Sequence, residues 1–241
     1  MAYGRDLAYI HDTGFTGFAR QAAPGVLALL RQNRIASGLV VDAGCGSGVW
    51  ARELTGHGYQ VLGIDISAQM IRLARRHAPH AKFRVGSFLS ATLPACDAVT
   101  AMGECVNYAF DRKSGQRGLA GFFRRVYRAL RPGGIFIFDI VEPGIVPEGM
   151  ARKFVEGLDW AILLETREYP KGKTLTREIV SFRRVGNLFR RSDEIHRLHL
   201  YSGAELLAEL GRAGFAARLL RGYGPFKFAP AHAGLLARKP G

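Results

Sequence analysis

Residues 39–48 read Leu39-Val40-Val41-Asp42-Ala43-Gly44-Cys45-Gly46-Ser47-Gly48. An apolar β-branched run ends in an acid, and three glycines then alternate with small residues. The run reads as a buried strand and the glycines as a tight turn. A helix opens at Val49–Leu54. Strand, glycine turn and helix N-terminus together make a nucleotide-type ligand site. Glycine lets the backbone approach the ligand, and the first helical turn offers unpaired N–H groups and a partial positive charge. A dinucleotide fingerprint spaces its glycines G-x-G-x-x-G. Here Val49 stands where the third of those glycines would be, which argues against a nicotinamide oxidoreductase.

Val41–Gly48 resembles motif I of the class I S-adenosylmethionine-dependent methyltransferases. A second mark is Leu130-Arg131-Pro132-Gly133-Gly134 before the strand Ile135–Ile140, and Gly214-Phe215 after a late helix is a third. The resemblance covers about residues 39–140 and 200–238. It implies an α/β fold: a Rossmann-like, seven-stranded, mostly parallel sheet with the last strand antiparallel and helices on both faces. It also implies S-adenosyl-L-methionine as methyl donor and S-adenosyl-L-homocysteine as product. Asp42, Ala43, Gly44, Cys45 and Gly46 would then cradle the donor. Asp65, at the end of the strand Gln60–Asp65, would accept hydrogen bonds from both ribose hydroxyls, as an acid so placed does in dinucleotide binders. Ile66 and Met70 would border adenine or ribose, and Met102 and Gly103 the methionine part. Family members often carry an acid after the third strand that holds the adenine amino group. This chain has Gly86-Ser87-Phe88, so Ser87 and Phe88 are left to contact adenine.

Around this core, residues 1–36 read as a helical arm in two pieces, with Pro24 starting the second. The core resumes over 37–140 and 202–241. Residues 141–201 break the βα alternation with three period-2 runs, Trp160–Tyr169, Thr174–Val185 and Leu188–Tyr201. They predict a three-stranded antiparallel cap, which could also pair two copies of the chain as a homodimer.

The methyl acceptor belongs between arm and cap. From the arm, Tyr9 and His11 are the substrate-facing candidates, with Phe15, Phe18 and Arg20 near them. Glu104, Asn107 and Tyr108 follow the fourth strand, Asp97–Met102, at the carboxyl edge where ligands of open parallel sheets sit. On the last cap run, Arg197, His199 and Tyr201 share one face and His196, Leu198 and Leu200 the other. The leucine face reads as packed, which leaves Arg197, His199 and Tyr201 for the pocket. A nitrogen or oxygen nucleophile must lose a proton on methylation, so a base is sought among Glu104, His11, His196 and His199. Glu104 is favoured by position and His199 by chemistry.

Composition sets outer bounds. The net charge of +14 invites a nucleic-acid reading, and Arg112, Lys113, Arg117, Arg124, Arg125, Arg128 and Arg131 cluster against one acid, Asp111. A solvated basic helix face explains the cluster, and no N-P-P-Y-type tetrapeptide follows strand four. The expected acceptor is therefore a small molecule. Methylation of RNA or protein, and cofactor binding without catalysis, are the competing readings. Cys45, Cys96 and Cys105 are odd in number and lack zinc spacing, so no metal is expected. With no apolar run near the ~18 residues of a membrane span and no signal-peptide plan at Met1–Asp6, the expected location is the cytoplasm.

Overall fold

The computed structural model describes residues 3–241. The arm is α1 (Arg5–Gly14) and α2 (Gly17–Gln32). The core alternates β1 (Gly38–Ala43), α3 (Val49–Gly56), β2 (Tyr59–Asp65), α4 (Ala68–His77), β3 (Lys82–Val85), β4 (Cys96–Ala101), α5 (Gln116–Ala129) and β5 (Leu130–Val141). The inserted sheet holds β6 (Met150–Glu156), β7 (Trp160–Tyr169), β8 (Thr174–Val185) and β9 (Leu188–His199). The chain closes with α6 (Gly203–Arg212), β10 (Ala216–Leu220), a short hairpin of β11 (Gly222–Tyr223) and β12 (Phe226–Lys227), and β13 (His232–Arg238).

The main sheet runs β10-β13-β5-β4-β1-β2-β3, with only β13 antiparallel to its neighbours. Strand alternation divides the core in two. Val41, Val99, Phe136 and Phe138 face α5 and α6, where Phe122, Phe123, Leu206 and Leu210 meet them. Val40, Ala98, Ile135 and Ile137 face the other way, against Val26 and Leu30 of α2 and Trp50 and Leu54 of α3. Both faces are apolar because helices cover both, as a parallel sheet requires. The order reverses between β1 and β4, so the glycine turn lies at the switch point where such sheets bind ligands.

Two expectations need correction. The inserted sheet has four strands, not three, because Met150–Glu156 pairs along β7 as an edge strand. Almost all of β6 is exposed, so no buried alternation announces it. The second arm helix begins at Gly17, and Pro24 lies inside it rather than at its start. There Gly25 packs so closely on the backbone of Tyr223 that a Cβ would lie 2.0 Å from its carbonyl oxygen.

Asn107 fastens the inserted sheet to the core. Its Nδ2 donates to the carbonyls of Val141 (2.9 Å) and His199 (2.7 Å), and its Oδ1 accepts from Val141 N at 3.1 Å. The arm is fastened to the same sheet through Asp6, which pairs with Arg183 and Arg190, and through Gly4 N, which donates to Glu194 at 2.7 Å.

Candidate active site

The arm, the carboxyl edge of the main sheet and the inner face of the inserted sheet enclose a cavity of about 800 Å³. One end is the glycine turn. Gly46 has φ +51° and no atom within 4 Å of where a Cβ would stand, so its backbone faces open space. Its N–H donates to Asp65 Oδ2 at 2.9 Å, and Ser67 N donates to Oδ1 at 2.8 Å. These two amides orient the Asp65 carboxylate at the tip of β2, and each oxygen keeps a further lone pair. Asp42, at the end of β1, is almost fully buried and also lines the cavity. Its Oδ1 accepts from Thr100 Oγ1 at 2.9 Å while its Oδ2, shut off from solvent, has no partner among the described residues. Burial pushes its carboxyl up to about 7, with the nearby Asp65 adding to the rise.

Beside the turn, Ile66, Met70, Ser87 and Phe88 line the wall. Asp111 and Ser114, from the loop before α5, line it too, and Asp111 lies close to Ser87. Asp111 is thus an acid beside Ser87 that reaches the wall from later in the chain. Sequence gave it no signal, because only the fold brings it there.

The middle of the cavity is the turn after β4. Asp139 of β5, buried beneath it, accepts from Gly103 N (3.0 Å), Glu104 N (2.8 Å) and Tyr223 Oη (3.1 Å). It holds Glu104 in the left-handed region at φ +59°, a conformation that costs a non-glycine residue energy and persists only when its surroundings enforce it. The Glu104 side chain pairs with Arg177 Nη2 at 2.9 Å and His232 Nε2 at 3.2 Å. Burial alone would raise its carboxyl, but Arg177 and His232 outweigh burial and hold it down at about 2. Arg177 also donates to Tyr108 Oη at 2.9 Å. His232 lies between Glu104 and the Pro230 carbonyl at 3.0 Å, and its pairing with Glu104 raises its pKa above the ordinary value.

The far end is aromatic. Tyr3, Phe15, Tyr108 and Phe110 surround His11 and His196 on the wall. His196 is occupied by Glu194 at 3.0 Å. The His11 ring makes no hydrogen bond among the described residues, and burial holds it down to about 4, so it is neutral near pH 7. Its Nδ1 is shut off from solvent, which leaves Nε2 for the cavity.

Residues 40–134 match a family model described as a methyltransferase domain. The whole chain superposes on an S-adenosylmethionine-dependent methyltransferase from Clostridium acetobutylicum with a TM-score of 0.82 at 18% identity, covering 98% of each chain. Residues 40–134 thus match a methyltransferase domain, set in the fold of S-adenosylmethionine-dependent methyltransferases. Among curated relatives, this methyltransferase core is similar to a malonyl-[acyl-carrier protein] O-methyltransferase of Enterobacter lignolyticus, 32% identical over 151 residues, 61% of this chain and 55% of the relative. It is also similar to a dTDP-3-amino-3,6-dideoxy-alpha-D-glucopyranose N,N-dimethyltransferase of Streptomyces fradiae, 28% identical over 158 residues, 64% of this chain and 59% of the relative. The matches thus span somewhat over half the length of these relatives.

The cavity fits the family's cofactor. It offers an open backbone cradle at Gly46, an oriented carboxylate at Asp65, and an unsatisfied buried carboxylate oxygen at Asp42, which suits a ligand carrying cationic groups. Of the residues singled out from sequence, Asp42, Gly44, Cys45, Gly46, Asp65, Ile66, Met70, Ser87, Phe88, Met102, Gly103, Glu104, Tyr108 and His11 line it together. Ala43 is buried in the strand beneath. Five lie elsewhere. Tyr9 bonds Asp159 at 2.9 Å under the Arg183 guanidinium, and Asn107 is the pin between core and inserted sheet. Arg197 is exposed on the outer face of β9, while His199 and Tyr201 line a separate cleft of about 190 Å³ beside α6. The leucine face of β9 is packed as expected, but the cavity lies on that face and not on the opposite one. Its packed face carries His196 and is the cavity wall.

Proposed function

We propose that this chain transfers the methyl group of S-adenosylmethionine to a nitrogen or oxygen of a small-molecule acceptor. The observation that carries this reading is the continuity of the cavity from Gly46 and Asp65 to the inner face of the inserted sheet. At about 800 Å³ it lies within the ~300–1,000 Å³ usual for small-ligand sites. It is roofed by the arm, which suits an enclosed small molecule better than an RNA strand or a folded protein.

Bound S-adenosylmethionine supplies a methyl carbon already activated for in-line displacement, so the protein's task is mainly alignment. Asp65 binds the ribose hydroxyls, and Ile66, Met70, Ser87, Phe88 and Asp111 border adenine. Asp42, the Gly44–Gly46 backbone, Met102 and Gly103 hold the methionine part. The acceptor lies among Tyr3, Phe15, Tyr108 and the apolar side chains of β7 and β8. His11, neutral and with Nε2 free, takes the proton released by the nucleophile. Glu104 is too firmly paired to serve as that base. It keeps Arg177 and Tyr108 in place.

The three free cysteines fit a reducing compartment such as the cytoplasm. The outer face of the inserted sheet exposes Phe154, Leu163 and Ile195, which supports a homodimer through that face. Light scattering of Leu163→Glu against the parent protein checks it: a dimer in the parent and a monomer in the variant are expected.

The reading is tested by incubating the protein with S-adenosylmethionine and separate pools of amino sugars, phenols, carboxylic acids and transfer RNA, and measuring S-adenosylhomocysteine. Turnover with a small-molecule pool is expected. Turnover with RNA alone, or cofactor binding with no turnover in any pool, would replace the reading.

A further inference from the structure

The cross-strand pairings give the inner face of the inserted sheet row by row. Lys153, Leu164 and Ile179 stand side by side in one row, and Ala151, Thr166, Arg177 and His196 in the next. All of them line the cavity. Strand β6 is exposed along almost its whole length, so Lys153 sits where this wall opens to solvent. The Lys and Arg side chains of the wall differ in their partners. Arg177 is held by Glu104 and Tyr108, and Arg152 by Glu165 at 2.7 Å. Lys153 has no ion-pair or hydrogen-bond partner among the described residues, and its neighbours in the row are apolar. The carboxylates of the lining gather elsewhere. Asp42, Asp65 and Asp111 belong to the cofactor half, and Asp139 is taken up by the amides of the turn after β4. On the acceptor side, among the described residues, the lining carries only Glu104, already paired with Arg177 and His232. An uncompensated ammonium thus stands at the lip of an apolar chamber.

We propose, building on the acceptor placement above, that the methyl acceptor is an anion with an apolar body, and that Lys153 selects it by pairing with a carboxylate or phosphate group at the end remote from the methyl-accepting atom. Neighbouring strands lie ~4.8 Å apart and residues two apart along a strand ~6.8 Å, so the Cα atoms of Lys153 and Arg177, two strands and two residues apart, are roughly 12 Å from each other. Arg177 is seated on Glu104, next to Gly103 at the methionine end of the cofactor half. The offset therefore sets the acceptor's length, with its anionic group roughly 10 Å from the reacting atom. The chamber between, lined by Leu164, Ile179 and Phe15, takes the apolar body. Charge then runs one way through the cavity. The donor's sulfonium lies toward the acids, the acceptor's anion lies beside Lys153, and the two attract across a poorly polarisable interior. A neutral acceptor of the same shape gains the apolar contact alone.

The probes are 2-naphthoate, 2-naphthyl phosphate and the neutral 2-naphthalenemethanol, titrated calorimetrically into the protein loaded with S-adenosylhomocysteine. At low ionic strength both anions, or one of them, are expected to bind one per chain and about three- to tenfold more tightly than the alcohol. The tighter of the two anions tells a carboxylic acid acceptor from a phosphate ester. Lys153→Met keeps the length and apolar stem of the side chain but not its charge. It is expected to remove the anions' advantage and leave the alcohol's affinity unchanged. Lys171→Met, at an exposed turn of the same sheet, is expected to change neither. Salt at about 0.5 M is expected to shrink the advantage in the parent protein. With any acceptor that is turned over, Lys153→Met is expected to raise KM and leave kcat unchanged. An alcohol bound as tightly as the anions, anions bound equally by Lys153→Met and the parent, or no binding of either anion would overturn the inference and leave the cofactor assignment standing. Failure of S-adenosylhomocysteine itself to bind the parent protein would remove that assignment instead.

Discussion

Gly46→Ala separates the fold from the site. At φ +51° an L-residue costs roughly 1–2 kcal/mol, and for a protein of this size that lowers Tm by about 2–8 °C. No further cost is expected, because nothing among the described residues lies within 4 Å of the new methyl group and the hydrogen bond from the Gly46 amide to Asp65 survives. The methyl group instead occupies space where the cofactor must approach the backbone. S-adenosylhomocysteine affinity should therefore fall at least tenfold, about 1.4 kcal/mol. Gly44→Ala is the contrasting change. Its methyl group would lie 2.6 Å from Cys105 Sγ, so overpacking adds roughly 1–3 kcal/mol to the backbone strain. Thermal melts and titration calorimetry on both variants give the comparison. A Gly46→Ala protein that melts within this range and binds the ligand as tightly as the parent would refute the placement of the cofactor against this backbone.

Three further outcomes follow from the charges around the cavity. His11→Ala should lower kcat by roughly 10²–10⁴-fold without weakening cofactor binding, and added imidazole should restore part of the rate. An unchanged kcat would move the base elsewhere. Glu104 is held at about 2 in the folded protein, against an ordinary value of 4.5. Its pairing therefore stabilises the fold above about pH 4.5, by roughly 3 kcal/mol, and is lost as pH falls toward 2. In Glu104→Gln, urea melts at pH 7 should show most of that loss, and little of it at pH 2. Asp42 has the opposite sign. Its carboxyl is raised from 3.8 to about 7, so its contribution is favourable at low pH and lost as pH rises through that window. Asp42→Asn should raise the melting temperature of the ligand-free protein at pH 8 while weakening S-adenosylhomocysteine. A lower melting temperature at pH 8 would show that the carboxylate is satisfied in the free protein.

The cofactor half of the site is local in sequence, and that is why it was legible. Asp42 to Gly46, Asp65 and Met70 lie on successive βα units whose alternation, glycines and caps can be read directly. Ser67 does cap α4, accepting from Met70 N, and Ser202 forms a capping box with Glu205. The acceptor half is assembled from distant segments. His232, Arg177 and Asp139 meet Glu104 through sheet pairings some 35 to 128 residues apart, which no local pattern encodes. The β9 error has a different cause. Period 2 identified the packed face correctly, but the cavity is lined by that same face. A pocket beneath a cap is an unfilled part of the core, so His196 rather than His199 reaches it. Strand β6 escaped because an exposed edge strand needs no apolar alternation.

The cradle formed by the Gly44–Gly46 backbone and the Asp65 carboxylate is tested most directly by calorimetric titration with S-adenosylhomocysteine and, separately, with NAD. One mole of S-adenosylhomocysteine per mole of chain is expected, with no NAD binding and a loss of roughly 1–3 kcal/mol in Asp65→Ala, the scale of hydrogen bonds to a charged group. Binding of NAD without S-adenosylhomocysteine, or an affinity indifferent to Asp65→Ala, would contradict it.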